Sequence, residues 1–235
     1  INEVNGPEIE RMLATAHYLF KNRSCWLTKS ERLSILRKAA ELIRERREQL
    51  ALSAAREGGK PLVDSLVEID RAADGIECCV EEIRASSGNV IPMQLDGNSS
   101  SKVAFTQYEP IGVVAAVSAF NHPFNLIVHQ VAPAVAPGCP VLVKPAATTP
   151  LSCKAFIDIL EEAGLPKGWA QVVVPQTIDL ATDLIADPRV AFFSFIESSR
   201  VGWMLKSKLA PGTRCAFEHG GVAAVVVAAD ANLDD

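Results

Sequence analysis

GVVAAVSAFNHPFNLIVHQVAPAVAPGCPVLVKPA, residues 112–146, decides how this chain folds. Val113–Val117 is a continuous apolar run, as expected for a strand covered on both faces. A helical segment follows from Pro123 to Val135, and Pro140–Val143 is a second short apolar strand. Strand, helix and strand in this order predict a parallel pair joined by a right-handed crossover. The alternation continues downstream. Thr149-Pro150 opens a helix, because Thr is a favoured cap and Pro suits the first helical position, and Gly164 closes it. Strand Ala170–Val174, helix Asp179–Ala186, strand Val190–Phe195 and helix Ser199–Leu209 come next. Strands Thr213–Phe217 and Val222–Ala228 complete the series. The expected class is α/β, a mostly parallel sheet with flanking helices over residues 110–235. Ligands of such sheets bind at the carboxyl ends of the strands, so function is sought just after each one.

Upstream, residues 1–87 read as a helical segment packing on this domain. Thr28 and Glu31 have the spacing of a capping box. Leu33, Leu36, Ala40 and Ile43 then recur at three and four, an apolar stripe on one long helix ended by Gly58-Gly59-Lys60-Pro61. A second helix runs from about Leu62 to Arg84. Residues 88–109 change character: Asn89–Leu95 and Lys102–Tyr108 are candidate strands around Asp96-Gly97-Asn98, a hairpin projecting from the main body.

Composition excludes several roles. A formal charge of -5 offers no basic surface for nucleic acid, and the cluster Arg44, Arg46, Arg47 is interleaved with Glu45 and Glu48. No apolar run reaches the roughly 20 residues needed to cross a bilayer, and no signal-peptide pattern is present. The chain begins at Ile1, so its first residue need not be the natural start. The six cysteines form no Cys-x-x-Cys pair and the four histidines stand apart from them, so no metal site is expected. Free thiols point to a reducing compartment, the cytoplasm.

The strand ends carry Phe120-Asn121-His122-Pro123, Lys144-Pro145-Ala146, Ile196-Glu197-Ser198-Ser199 and Glu218-His219-Gly220-Gly221. Each cluster alone has a bland reading. Asn before proline is commonly a turn or cap, Lys-Pro a solvated loop, and Glu before two glycines a turn.

Together and in this order they resemble the aldehyde dehydrogenase superfamily, from about Glu31 to Asp235. Glu57-Gly58-Gly59-Lys60-Pro61 and Glu109-Pro110-Ile111-Gly112-Val113-Val114 belong to the resemblance. Phe120-Asn121-His122-Pro123-Phe124 looks like the family's P-W-N-F-P segment, and Lys144-Pro145-Ala146 like its K-P-A-E. Phe195-Ile196-Glu197-Ser198 is similar to F-T-G-S, and Glu218-His219-Gly220-Gly221 to E-L-G-G.

The resemblance implies a dinucleotide-binding, Rossmann-like domain and oxidation of a small-molecule aldehyde to a carboxylic acid through a cysteine thioester. NAD or NADP is the implied hydride acceptor. Asn121 matches the asparagine whose side-chain N–H donates to the oxyanion, and Glu218 the glutamate that activates the hydrolytic water. Lys144 matches the lysine that hydrogen-bonds the adenosine ribose. Ser198 matches the serine opening the helix whose amides meet the pyrophosphate. Phe120, Ala147, Glu197 and Gly220 fall within the implied cofactor-binding stretches. Residues 88–109 resemble the family's projecting oligomerisation strands, which implies a homo-oligomer.

The match has departures. The implied nucleophile lies a few tens of residues beyond the glutamate, and none of the six cysteines fits; Cys215 reads as core. The chain is therefore expected to lack the catalytic domain and not to oxidise aldehydes by itself. Glu197 occupies the glycine position of F-T-G-S, where a carboxylate either caps the helix or repels the pyrophosphate. Ala147 stands where NAD-preferring members carry a glutamate, Gln130 replaces a lysine and His219 a leucine. Pro175-Gln176-Thr177 follows a strand without the usual glycine-rich turn. Two other readings stay open: a non-catalytic cofactor-binding remnant, and a thioester-forming relative that acylates coenzyme A or reduces acyl phosphates. Retention of both Asn121 and Glu218 argues against the latter, since only hydrolysis needs the glutamate.

Overall fold

A computed structural model describes residues 1–93 and 97–232. Five parallel strands form the central sheet: β3 (Val113–Val117), β4 (Val141–Lys144), β5 (Ala170–Val172), β6 (Val190–Ile196) and β7 (Arg214–Glu218). Their order is β5-β4-β3-β6-β7. The chain moves outward from β3 to β5, then crosses back to lay β6 on the other side of β3. That reversal creates a topological switch point between β3 and β6, the place where such sheets bind ligands. Every side chain of β3 is buried, as its unbroken apolar run predicts.

Helices α1 (Gly6–Lys21) to α4 come from the first 85 residues and cover the sheet from both faces. α2 (Lys29–Glu45), α3 (Arg47–Gly58) and α4 (Leu62–Ala85) pack with α5 (Pro123–Val135) and α6 (Pro150–Glu162) into one core. α1 joins α7 (Ile178–Ala186) and α8 (Ser199–Lys206) around the other. α5 is apolar nearly all round because it lies between sheet and helices, with Phe124 fully buried against Phe156.

Several boundaries differ from the sequence reading. The capping box at Thr28 and Glu31 forms, and Gly59 ends α3 in the left-handed region at φ 66°. The expected single long helix is nevertheless two, broken at Arg46. Arg46 is held by Glu162 of α6 and Arg47 by Asp70 of α4, so the stripe Leu50, Ala51 and Ala54 turns toward different neighbours. α6 begins at Thr149 as expected, but the hydroxyl makes no cap hydrogen bond. The hairpin is shorter than read, β1 (Val90–Ile91) paired antiparallel with β2 (Ala104–Phe105). Leu95 and Asp96 lie outside the described residues. Val222–Ala228 is not a strand: it pairs with nothing among the described residues, and Val222 is 99% exposed. A valine-rich run has strand propensity, but a strand exists only where its backbone finds a ladder.

Candidate functional site

The sheet register brings the four sequence clusters to one edge. Val117 pairs with Lys144 on one side and Phe195 on the other, and Phe195 pairs with Phe217. Phe120 and Asn121 follow β3, Ala147 follows β4, Glu197 and Ser198 follow β6, and Glu218 closes β7. All of these are exposed, as is Gly220; Lys144, at the end of β4, is half-buried.

Beneath this edge the switch point is tied shut. Gln130 of α5 donates Nε2 to the Val117 carbonyl at 3.0 Å and to Ser194 Oγ at 3.1 Å, joining β3 to β6. Lys144 has one hydrogen bond, from Nζ to the Pro145 carbonyl at 3.3 Å. Burial pushes the Lys144 ammonium below the usual lysine range, while the Glu197 carboxylate pulls it back up. Glu197 and Glu218 are neighbours, since the Glu197 amide donates to the Glu218 carbonyl at 3.2 Å. The Glu218 carboxylate also acts on His129 of α5, opposing the burial that lowers its pKa.

Ser198 opens α8 as its N-cap residue, as the resemblance implies, but its side chain makes no cap hydrogen bond. The first intrahelical bond runs from the Gly202 amide to the Ser198 carbonyl. The amides of Ser199, Arg200 and Val201 precede it and have no intrahelical acceptor, which leaves an electropositive helix end beside Glu197. His219 stacks on Phe217 at 5.4 Å and meets Trp203 tilted at 5.5 Å, directly over Gly202. A Cβ at Gly202 would meet the imidazole at 2.4 Å, so only glycine fits beneath this ring. Cys215 packs partly buried against the core, as read.

Three further side chains hold the loops of this edge: Glu57 and Lys60, read only as part of the segment 57–61, and Glu68, which the sequence reading does not single out. Glu68 is fully buried, its Oε1 accepting the amides of Phe124 at 2.7 Å and Asn125 at 3.0 Å, its Oε2 paired with Lys60 Nζ at 2.5 Å. Lys60 also donates to the Asn121 carbonyl at 3.2 Å and faces His122 Nδ1 at 3.1 Å. Glu57 accepts from the Leu151 amide and from Ser152, amide and hydroxyl, at the start of α6. The available signal was a Glu inside the apolar stripe of α4, between Ser65 and Ala72.

Among the described residues, no group of three or more His, Cys, Asp and Glu gathers as a metal would need, and no helix is long and apolar enough to cross a membrane.

Comparison with known proteins agrees with this geometry. The sequence model of the aldehyde dehydrogenase family matches residues 1–235. A 3-sulfolactaldehyde dehydrogenase of Priestia aryabhattai is 36% identical over 234 residues, all of this chain and 48% of that protein. The crystal structure of succinate-semialdehyde dehydrogenase from Burkholderia pseudomallei superimposes with a TM-score of 0.87 at 36% identity, over 100% of this chain and 48% of that one. Glyceraldehyde-3-phosphate dehydrogenase GapN of Methanocaldococcus jannaschii, complexed with NADP, gives 0.83 at 30% identity over 94% and 48%. The chain thus spans about half the length of the relatives it matches. With its Rossmann-like sheet and ordered strand-end motifs, the chain belongs to the aldehyde dehydrogenase family.

Proposed function

We propose that this chain is the amino-terminal, cofactor-binding part of an NAD- or NADP-dependent aldehyde dehydrogenase that oxidises a small aldehyde to its carboxylic acid. The observation that carries the reading is the register of β3, β6 and β7, which sets Asn121, the open end of α8 and Glu218 along one sheet edge.

The residues fit a dinucleotide in two respects. Lys144 keeps two of its three ammonium protons unassigned at a half-buried position, suited to ribose hydroxyls. The free amides of α8 suit a pyrophosphate. Glu197 opposes that fit by adding a negative charge one residue before the N-cap Ser198. When bound, the nicotinamide accepts hydride from the substrate carbon. The Asn121 side-chain N–H donates to the substrate oxygen as negative charge develops there, after attack by a cysteine thiolate outside the residues described. The Glu218 carboxylate takes a proton from the water that hydrolyses the thioester. The exposed Val90, Val103, Phe105 and Tyr108 around the hairpin support homo-oligomerisation through residues 88–109. Cysteines that are all free fit the cytoplasm.

The test is reduced-nicotinamide formation by the full-length protein with aldehyde and either cofactor. Glu218→Gln should still release a burst of product stoichiometric with protein and then stall, because acylation proceeds and hydrolysis does not. Equal steady-state turnover in the variant would remove Glu218 from this role. The 235-residue chain alone should be inactive, and measurable turnover abolished by Cys215→Ala would overturn that expectation.

A further inference from the structure

We propose that Glu68 is a positioning residue for the oxyanion donor, acting with Lys60 on the β3–α5 elbow; this rests on the role given to Asn121 above. α5 begins after His122 with no side-chain cap of its own. The amides that a cap would satisfy, those of Phe124 and Asn125, are instead bound by one oxygen of a carboxylate 56 and 57 positions earlier in the chain. The other oxygen holds Lys60, and Lys60 holds the carbonyl of Asn121 itself. The elbow is thus gripped on both sides of Pro123 by a single ion pair, 0% exposed at Glu68 and 13% at Lys60. Asn121 is exposed at the sheet edge, so its direction depends on where this backbone is held.

Lys60 follows two glycines, which suggests a phosphate ligand at first sight. Its ammonium has three protons: Glu68 and the Asn121 carbonyl take two, and His122 Nδ1 takes the third in the tautomer that leaves that nitrogen unprotonated. None then remains for a substrate or nucleotide. The same turn holds the next crossover, since Glu57 binds the first amides of α6 as Glu68 binds those of α5. The segment from Glu57 to Lys60, together with Glu68, therefore serves to set the loops that leave β3 and β4.

A double-mutant cycle in the full-length protein tests this. Asn121→Ala should lower kcat by about 10²–10³, as loss of one oxyanion donor does. Glu68→Gln preserves volume and one acceptor oxygen but releases Lys60; it should lower kcat by about tenfold, the scale of a misplaced reacting group, with cofactor affinity unchanged. The decisive measurement is Glu68→Gln in the Asn121→Ala background, where its effect should shrink below about twofold because the two act as one unit. An additive loss, or none from Glu68→Gln alone, overturns the positioning role and leaves the oxyanion reading standing. If Asn121→Ala itself is inert, the oxyanion reading fails and takes this inference with it. Should Glu68→Gln not fold, Lys60→Met runs the same cycle, and Lys60→Arg should restore most of the lost kcat. If neither Glu68→Gln nor Lys60→Met folds, the pair determines the fold and the positioning claim is overturned.

Discussion

The carboxyl edge of the sheet has two unlike halves. On the β3 and β4 side, buried or half-buried carboxylates from α3 and α4 reach across to the first amides of α5 and α6, and Lys60 ties the Asn121 backbone in place. On the β6 and β7 side, α8 begins without a side-chain cap, Glu197 and Glu218 are exposed, and the segment after Glu218 lies open. The first half is preorganised by polar contacts within the protein. The second presents unsatisfied groups whose partners have to be a ligand or water. On the proposed reading, the oxyanion donor Asn121 sits on the stiff half and the amides offered to the cofactor on the open one.

The largest expected difference between the halves is in stability. Glu68→Ala leaves Lys60 without its counter-ion and two helix amides without an acceptor, which should cost about 3–5 kcal/mol. Glu218→Ala removes an exposed side chain and should stay within about 0.5 kcal/mol. Chemical denaturation of both variants measures the contrast. Similar losses at the two positions would break the distinction between a stiff and an open half.

The division also explains what could be read from the amino-acid order. β3, β4 and β6 were legible because a strand covered on both faces is predominantly apolar, whatever its neighbours. The motifs at their ends were legible because sheet topology sends every parallel strand end to one edge. The break at Arg46 was not, because it arises from contacts with Glu162 and Asp70, which lie 116 and 23 positions from their arginines. Val222–Ala228 misled for a related reason: propensity is local and pairing is not. Glu68 was hidden because a carboxylate in an apolar helix stripe declares a partner without naming it. The residues of the open half sit in contiguous motifs that the sequence displays, while the stiff half is assembled from distant pieces.

Within the open half, Glu197 sets the next effect. Glu197 directly precedes the N-cap residue Ser198, and a pyrophosphate bound at the free amides of α8 would meet like charge if its carboxylate turned toward them. Glu197→Gly should tighten dinucleotide binding about tenfold, roughly 1.4 kcal/mol, and leave folding nearly unchanged. Titration calorimetry with NAD and NADP checks it, and unchanged affinity would show that the carboxylate stays clear of the phosphates. Ala147, exposed after β4, predicts weak discrimination between the two cofactors. Ala147→Glu should move the NAD to NADP preference toward NAD by about fivefold, roughly 1 kcal/mol, because a carboxylate accepts from a ribose hydroxyl and repels a phosphate. No change in the ratio would mean that another residue makes this choice.

The smallest effect links the two halves through Lys144. Burial lowers its pKa and Glu197 partly restores it. In the unfolded chain the amine titrates near the ordinary value of about 10.4. Between the lowered folded value and about 10.4 the folded state therefore binds fewer protons, so the folded protein gains stability as pH rises through that window. At neutral pH the buried ammonium is a cost. Lys144→Met should remove it, stabilising the chain slightly and flattening the alkaline rise. Glu197→Gly, nearly neutral for folding at neutral pH, should steepen the rise, since taking away the carboxylate leaves the ammonium less compensated. Denaturation curves collected from neutral pH to about 10.4 on the three proteins read both slopes. If Glu197→Gly leaves the slope unchanged, the two sides of the switch point are electrostatically independent.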